Sequence, residues 1–108
     1  MPDLRILTIN LFNGLADPEA LAAALRTTAP DLVAAQEMGP DDAAVLTAAF
    51  PYGMLVPALD HSGRGLVGRA PFDVDEIDLG GRPALAAKLT DEAWRLAEPA
   101  EVLGVHLM

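Results

Sequence analysis

Two polar side chains follow short apolar runs in the first third of the chain, and their types suit metal chemistry. Asn10 ends the run over residues 4–10, and Glu37 ends the run over residues 31–37. Such runs are typical of strands covered on both faces. A carboxylate directly after a buried strand needs a cation, another partner or exposure to solvent. Asn10 and Glu37 are therefore candidate site residues, with a turn-forming asparagine and a solvated carboxylate as the alternatives.

The segment between these residues predicts how they meet. Asp17-Pro18 is a helix-start signal, and the pattern predicts a helix from about residue 18 to residue 28 that Pro30 prevents from continuing. Strand, helix and strand in this order form a βαβ unit, whose two parallel strands end at the same edge of the sheet. We therefore expect Asn10 and Glu37 to lie together.

The rest of the chain reads as one more helix followed by strands. A helix is expected over about residues 41–49. The runs that follow are short and are separated by turns rich in Gly, Pro and Asp, which predicts mostly antiparallel strands. These runs cover residues 52–56, 65–69, 72–79, 82–89 and 101–108, with a wide turn or one short helix over residues 90–100.

Composition excludes several kinds of site. The chain has no cysteine, so disulfides, thiolate zinc sites and a cysteine nucleophile are all excluded. Sixteen acidic residues against seven basic ones give a net charge of −9, which argues against a nonspecific nuclease and is compatible with divalent cations. No apolar run is long enough for a transmembrane helix, and the first residues lack the pattern of a secretory signal. A cytoplasmic location is the default expectation.

Four motifs occur in an order that resembles the endonuclease/exonuclease/phosphatase family. They are Thr8-Ile9-Asn10, the Pro-Asp to Gln-Glu strand over residues 30–37, the Gly to Arg-Ala-Pro strand over residues 65–71, and the Val to His-Leu strand over residues 102–107. The resemblance implies an α/β fold, the N-terminal portion of a four-layer α/β/β/α sandwich of two packed mixed sheets with outer helices. Residues 1–108 would then form a single incomplete domain whose C-terminal half is missing.

The resemblance also implies roles for individual residues. Glu37 would bind Mg²⁺, with Mn²⁺ as the alternative ion, and Asn10 would lie beside it as a metal-binding or catalytic residue. His106 would help bind phosphate or orient the catalytic groups, whereas a lone histidine in an apolar strand is otherwise a hydrogen-bonded core residue. Arg69 would meet a phosphoester or simply end a strand, and its role stays open. Asp60-His61 has loop composition, so no family role is transferred to that pair.

The family's Asp-x-Asn strand and late Asp-His pair have no counterpart in these 108 residues. The expected function is Mg²⁺-dependent hydrolysis of a phosphoester, in a chain that is inactive or incomplete by itself because the general base is lacking. The substrate would be a small molecule, a lipid headgroup or a nucleic acid. The alternative is a non-catalytic half-domain that self-associates through exposed strand edges.

Overall fold

The computed structural model describes residues 4–60, 62–80, 83–96 and 98–104. These residues form an α/β fold of two sheets and a few helices. The strands are β1 (Ile6–Asn10), β2 (Leu32–Gln36), β3 (Tyr52–Val56), β4 (Arg64–Gly68), β5 (Asp73–Asp78), β6 (Pro83–Leu89) and β7 (Ala100–Gly104). The helices are α1 (Pro18–Thr28), α2 (Pro40–Ala49) and α3 (Asp91–Trp94), and a short 3₁₀ turn spans Phe12–Gly14.

The two main helices begin where their capping residues predict. The Asp17 carboxylate accepts a hydrogen bond from the Glu19 N–H at 3.1 Å, and Pro18 occupies the first turn of α1. Ala29 ends that helix in the left-handed conformation, so the predicted bounds of 18 and 28 are confirmed. Helix α2 begins at Pro40, one residue before the prediction. No helix among the described residues is long and apolar enough to cross a membrane.

The first sheet has the strand order β1-β2-β4-β3. Strands β1 and β2 are parallel, with Ile6 opposite Leu32 and Asn10 opposite Gln36, so the predicted βαβ unit is confirmed. Strand β4 runs antiparallel to both β2 and β3. The ends of β1 and β2 therefore lie together at one edge of the sheet, beside the start of β4.

The second sheet has the order β5-β6-β7, and all its strands are antiparallel. The prediction of antiparallel strands from residue 52 onward is confirmed, with ends that shift by one residue at several strands. Of the two alternatives for residues 90–100, the short helix is confirmed, because α3 lies within this segment. Strand β7 is described as far as Gly104, and the remainder of the predicted final strand lies outside the described residues.

Alternating residues of β2 build two separate cores. Val33 and Ala35 pack with α1 and α2, whereas Leu32 and Ala34 pack with the second sheet and with Trp94. This alternation follows from the two-residue period of a strand and explains why both faces of β2 are apolar. The described residues thus form three layers, with helices on the first sheet and the first sheet on the second.

Candidate functional site

Asn10 and Glu37 meet at the edge of the first sheet where β1 and β2 end. The Asn10 Nδ2 donates a hydrogen bond to Glu37 Oε2 at 2.5 Å. Glu37 is only 9% exposed, although it is a charged residue type and lies just beyond the last residue of β2. The predicted juxtaposition is therefore confirmed, and it consists of a direct contact between the two side chains.

The backbone at Glu37 makes this contact reachable. In a straight strand, position 37 would follow Val33 and Ala35 toward the helices, while Asn10 shares the opposite face with Gln36. Glu37 instead has a left-handed φ of 53°, which ends β2 and interrupts the alternation. Its carbonyl accepts from the Gly14 N–H at 2.8 Å, so the loop after β1 fixes this bend.

Asn10 makes the local bond of the turn-forming alternative and a second bond, to Glu37, that the sequence did not indicate. Its Oδ1 accepts from the Phe12 N–H at 2.9 Å, which is the local bond of a turn-forming asparagine, while its Nδ2 holds the Glu37 carboxylate. Because the amide oxygen already stabilises the turn, Asn10 acts here as the group that orients Glu37. Ligation of a metal ion by Asn10 remains a prediction.

A loop from the β3–β4 connection lies directly beside this bend. Met38 donates its N–H to the Gly63 carbonyl at 3.2 Å and accepts from the Ala58 N–H at 2.9 Å. A Cβ atom at Gly63 would overlap the Met38 carbonyl group, so this approach requires glycine. Within the loop, Asp60 accepts from the N–H and the hydroxyl of Ser62. Three chain segments therefore surround the candidate site: the end of β1, the end of β2 and the loop between β3 and β4.

Arg64 also lies at this edge, and the sequence analysis missed it. It begins β4 opposite Gln36, donates to the Ser62 carbonyl at 2.8 Å, and forms an ion pair with Glu76 of the second sheet. Its Nε is enclosed and has no hydrogen-bond partner among the described residues. The sequence pattern begins this strand at Gly65, one residue after Arg64. Recognising that β4 runs antiparallel to β2 would have placed the first residue of β4 at the end of β2.

Arg69 lies at the opposite end of the first sheet and serves the packing of the two sheets. Its Nε donates to Asp31 Oδ1 at 2.8 Å, and its guanidinium lies 4.8 Å from the ring centroid of Trp94. Asp31 precedes β2 whereas Glu37 follows it, so the five residues of that strand separate Arg69 from the candidate site. These contacts are those of a strand-end residue that packs the two sheets together, and a contact of Arg69 with a phosphoester stays a prediction.

The Asp31 carboxyl is held in its charged form by these contacts. Burial favours the neutral acid, but the Arg5 N–H, the Arg69 hydrogen bond and the two arginine charges together outweigh that effect and lower the pKa of Asp31. The charged Asp31 carboxylate therefore stabilises the fold at pH values above the ordinary pKa of an aspartate. This contribution is lost as the pH falls through the lowered pKa of Asp31.

A second buried carboxylate, Asp42, lies in the first turn of α2. The residue is 0% exposed, and burial raises the pKa of Asp42. The Gly39 N–H faces the carboxylate and partly stabilises its charged form, but neither oxygen has a well-formed hydrogen bond within the described residues. The charge of Asp41 adds to the upward shift. Asp42 therefore destabilises the fold at neutral pH relative to acidic pH.

The remaining predicted site residue, His106, lies outside the described residues, as does His61. Within the described ranges, no cluster of three or more histidine, aspartate or glutamate side chains could surround a metal ion. Comparison with known protein families finds none that matches this chain, and comparison with curated proteins finds no relative. The candidate site therefore consists of Glu37 held by Asn10, with Arg64 at the same sheet edge.

Proposed function

We propose that the edge formed by Asn10 and Glu37 is one side of an active site for Mg²⁺-dependent phosphoester hydrolysis. The observation that carries the proposal is the direct contact of an amide with a nearly buried carboxylate at the joined ends of two parallel strands. Ligands of open α/β sheets usually bind outside such strand ends. The resemblance of the motifs to the endonuclease/exonuclease/phosphatase family gives the reaction class.

The donor set is compatible with magnesium. Mg²⁺ usually keeps several of its waters and takes only one or two carboxylates from a protein, so one oriented glutamate is a reasonable anchor. When bound, the ion would polarise the phosphoryl group and stabilise the leaving oxygen. Asn10 would hold the Glu37 carboxylate in a fixed direction, as partners of metal ligands generally do. Arg64 would donate to a phosphoester oxygen from the same edge, where Glu76 balances part of its charge.

The proposed active site needs further catalytic residues opposite Asn10 and Glu37. In the family that the motifs resemble, the general base that activates water comes from a late Asp-His pair, and no role in that pair is assigned to a residue at the Asn10–Glu37 edge. We infer that the complete catalytic unit is a four-layer sandwich whose further residues face this edge. His106 keeps its proposed part in phosphate binding.

Replacement of Glu37 tests the proposal. Glu37→Gln keeps the size of the side chain and removes the charge, so we expect Mn²⁺, used as a spectroscopic substitute for Mg²⁺, to bind at least about tenfold more weakly. Glu19→Gln, at an exposed position in α1, is the matched control, and we expect it to leave Mn²⁺ binding unchanged. Electron paramagnetic resonance of free Mn²⁺ measures both.

Hydrolysis provides the second readout. Activity toward bis(4-nitrophenyl) phosphate with Mg²⁺ is measured for the 108-residue chain and, where its reading frame continues beyond Met108, for the longer protein. We expect metal-dependent turnover that Glu37→Gln abolishes in the active form. Unchanged Mn²⁺ binding by the variant, together with no activity in either form, would show that the enzyme assignment is wrong.

A second candidate function is supported by the incomplete cover of β1. Ile6 and Thr8 occupy the face of the first sheet that the second sheet covers at Leu32 and Ala34, yet both are exposed. A non-catalytic module that associates through its sheet edges accounts for this exposure. A stable assembly without metal-dependent activity would favour this candidate over the hydrolase.

A further inference from the structure

An open cavity of about 600 Å³ lies between the C-terminal parts of α1 and α2. Its lining residues come from positions 22–30, from positions 45–51 and from Arg69, and we call it the helix-end cavity. Because α1 leads into the start of β2, this cavity lies at the end of the first sheet opposite Glu37 and is separate from the candidate site. Its volume is within the range that holds small-molecule ligands.

Most of the side chains that line the helix-end cavity are small and apolar. Ala22 of α1 and Ala48 and Ala49 of α2 leave space between the two helices, and Leu25 and Val45 add larger apolar surface. Leu25 is buried and Val45 is half-buried, so both are held in place by the core. A hydrocarbon chain placed between the helices would leave water and contact these side chains, which is favourable.

The charges around the helix-end cavity are opposite in sign to the net charge of the chain. Arg26 and Arg69 both line it, and none of its described lining residues is acidic, although the chain has 16 acidic and 7 basic residues. Arg5 adds positive charge beside it by donating to the Thr28 carbonyl at the end of α1. Asp31 and the helix-end carbonyls offset part of this charge. The remainder suits a ligand with a single negative charge.

We propose that the helix-end cavity binds a single-chain aliphatic carboxylate. In this arrangement the hydrocarbon chain lies between α1 and α2 against Leu25 and Val45, and the carboxylate accepts hydrogen bonds from Arg26 and Arg69. The guanidinium of Arg69 has donors to spare, because its bonds to Asp31 and to the Trp94 carbonyl use only part of its N–H groups. This binding does not depend on the proposed hydrolase activity.

Titration of the 108-residue chain with decanoate tests the proposal. Isothermal titration calorimetry, at decanoate concentrations below micelle formation, should show one saturable site with a dissociation constant of about 0.1–1 mM, as a ligand of about twelve non-hydrogen atoms allows. Octanoate should bind about threefold to tenfold more weakly, because it buries less hydrocarbon. Decyltrimethylammonium has the same chain with the opposite charge and should bind at least about tenfold more weakly than decanoate.

Two pairs of variants locate the binding site. Ala48→Phe fills the space between the helices and should weaken decanoate binding at least about tenfold. Ala44→Phe, at an exposed position one turn earlier in α2 and outside the cavity lining, is the matched control. Arg26→Gln should weaken binding at least about threefold, whereas Lys88→Gln removes the same charge from an exposed position in β6 and should have little effect. Circular dichroism confirms that all four variants fold.

Fluorescence of Trp94, the one tryptophan of the chain, provides the second measurement. The Arg69 guanidinium lies 4.8 Å from the ring centroid, so a carboxylate bound to Arg69 should change this fluorescence over the concentration range of the calorimetric titration. No saturable binding of decanoate, equal binding of the cationic ligand, equal effects of the two phenylalanine variants, or unchanged fluorescence on binding would each overturn the proposal. None of these results bears on Mn²⁺ binding at Glu37, so the hydrolase proposal is tested separately.

Discussion

Replacement of Asn10 by aspartate tests how the candidate site is held together. The change keeps the side-chain shape and keeps an oxygen for the Phe12 N–H, but it turns the group that donates to Glu37 into a second carboxylate. We expect the metal-free variant to be less stable than the wild type at neutral pH. A divalent cation should reverse much of that loss, since two adjacent carboxylates form a better metal site than one.

The magnitude follows from the contact. Loss of a hydrogen bond to a charged, nearly buried group costs about 1.5–3 kcal/mol. Two carboxylates about 4 Å apart repel by about 4 kcal/mol at an effective dielectric constant near 20, and protonation of one of them or water at the half-buried Asn10 relieves part of this. The variant should therefore lose about 3 kcal/mol. Mg²⁺ at about 100 times its dissociation constant restores about 2.7 kcal/mol.

Urea unfolding followed by circular dichroism measures these free energies, with MgCl₂ compared against NaCl at equal ionic strength. Thr47→Asp adds the same charge on the exposed side of α2 and is the control, for which we expect a change within about 0.5 kcal/mol and no specific effect of Mg²⁺. If Asn10→Asp is as stable as the wild type without metal, the two side chains do not form the contact described above. If Mg²⁺ and NaCl act equally on it, this edge is not suited to a cation.

Two further predictions concern charged groups away from the candidate site. Arg69→Ala removes the bond to Asp31 and the contact with Trp94, so we expect a loss of about 1–2 kcal/mol at pH 7 in urea unfolding, compared with a smaller change for Arg26→Ala at an exposed position of α1. The loss caused by Arg69→Ala should shrink below about pH 4, where the Asp31 carboxylate becomes protonated, and a loss that does not change with pH would contradict this origin. Asp42→Asn removes a buried charge and should raise the free energy of unfolding by about 1 kcal/mol at pH 7, and this gain should disappear toward pH 4 because the pKa of Asp42 is raised. The control Asp41→Asn should lower stability, because it weakens a favourable charge at the start of α2. A loss of stability in Asp42→Asn at pH 7 would mean that the Asp42 carboxylate has a stabilising partner.

Much of the fold could be predicted because local signals and apolar patterns agree. Asp17, Pro18 and Pro30 fix the bounds of α1, and the apolar runs on either side of it require buried strands. A helix between two such strands makes them parallel neighbours, so Asn10 and Glu37 had to end at one edge. Turns rich in glycine, proline and aspartate likewise predicted the antiparallel strands that follow.

The partners of individual side chains could not be predicted in this way. Arg64 and Arg69 lie near the two ends of the same strand segment in sequence, yet one reaches the candidate edge and the other packs against Trp94 at the far end of the sheet. Which end each arginine occupies depends on β4 pairing antiparallel with β2, a contact between residues about 30 positions apart. Sequence patterns do not encode such pairings locally.

The sequence by itself determined that Glu37 follows a buried strand and that Asn10 follows its parallel neighbour, because period and capping act within a few residues. Only the tertiary structure decided that the two side chains touch. Their contact depends on the left-handed backbone of Glu37, which the Gly14 N–H fixes from a loop more than twenty residues earlier in the chain. The exposure of Ile6 and Thr8 in β1 was likewise decided by tertiary packing, because the second sheet covers β2 and β4 at Leu32, Ala34 and Leu66, and no single segment specifies which strands it covers.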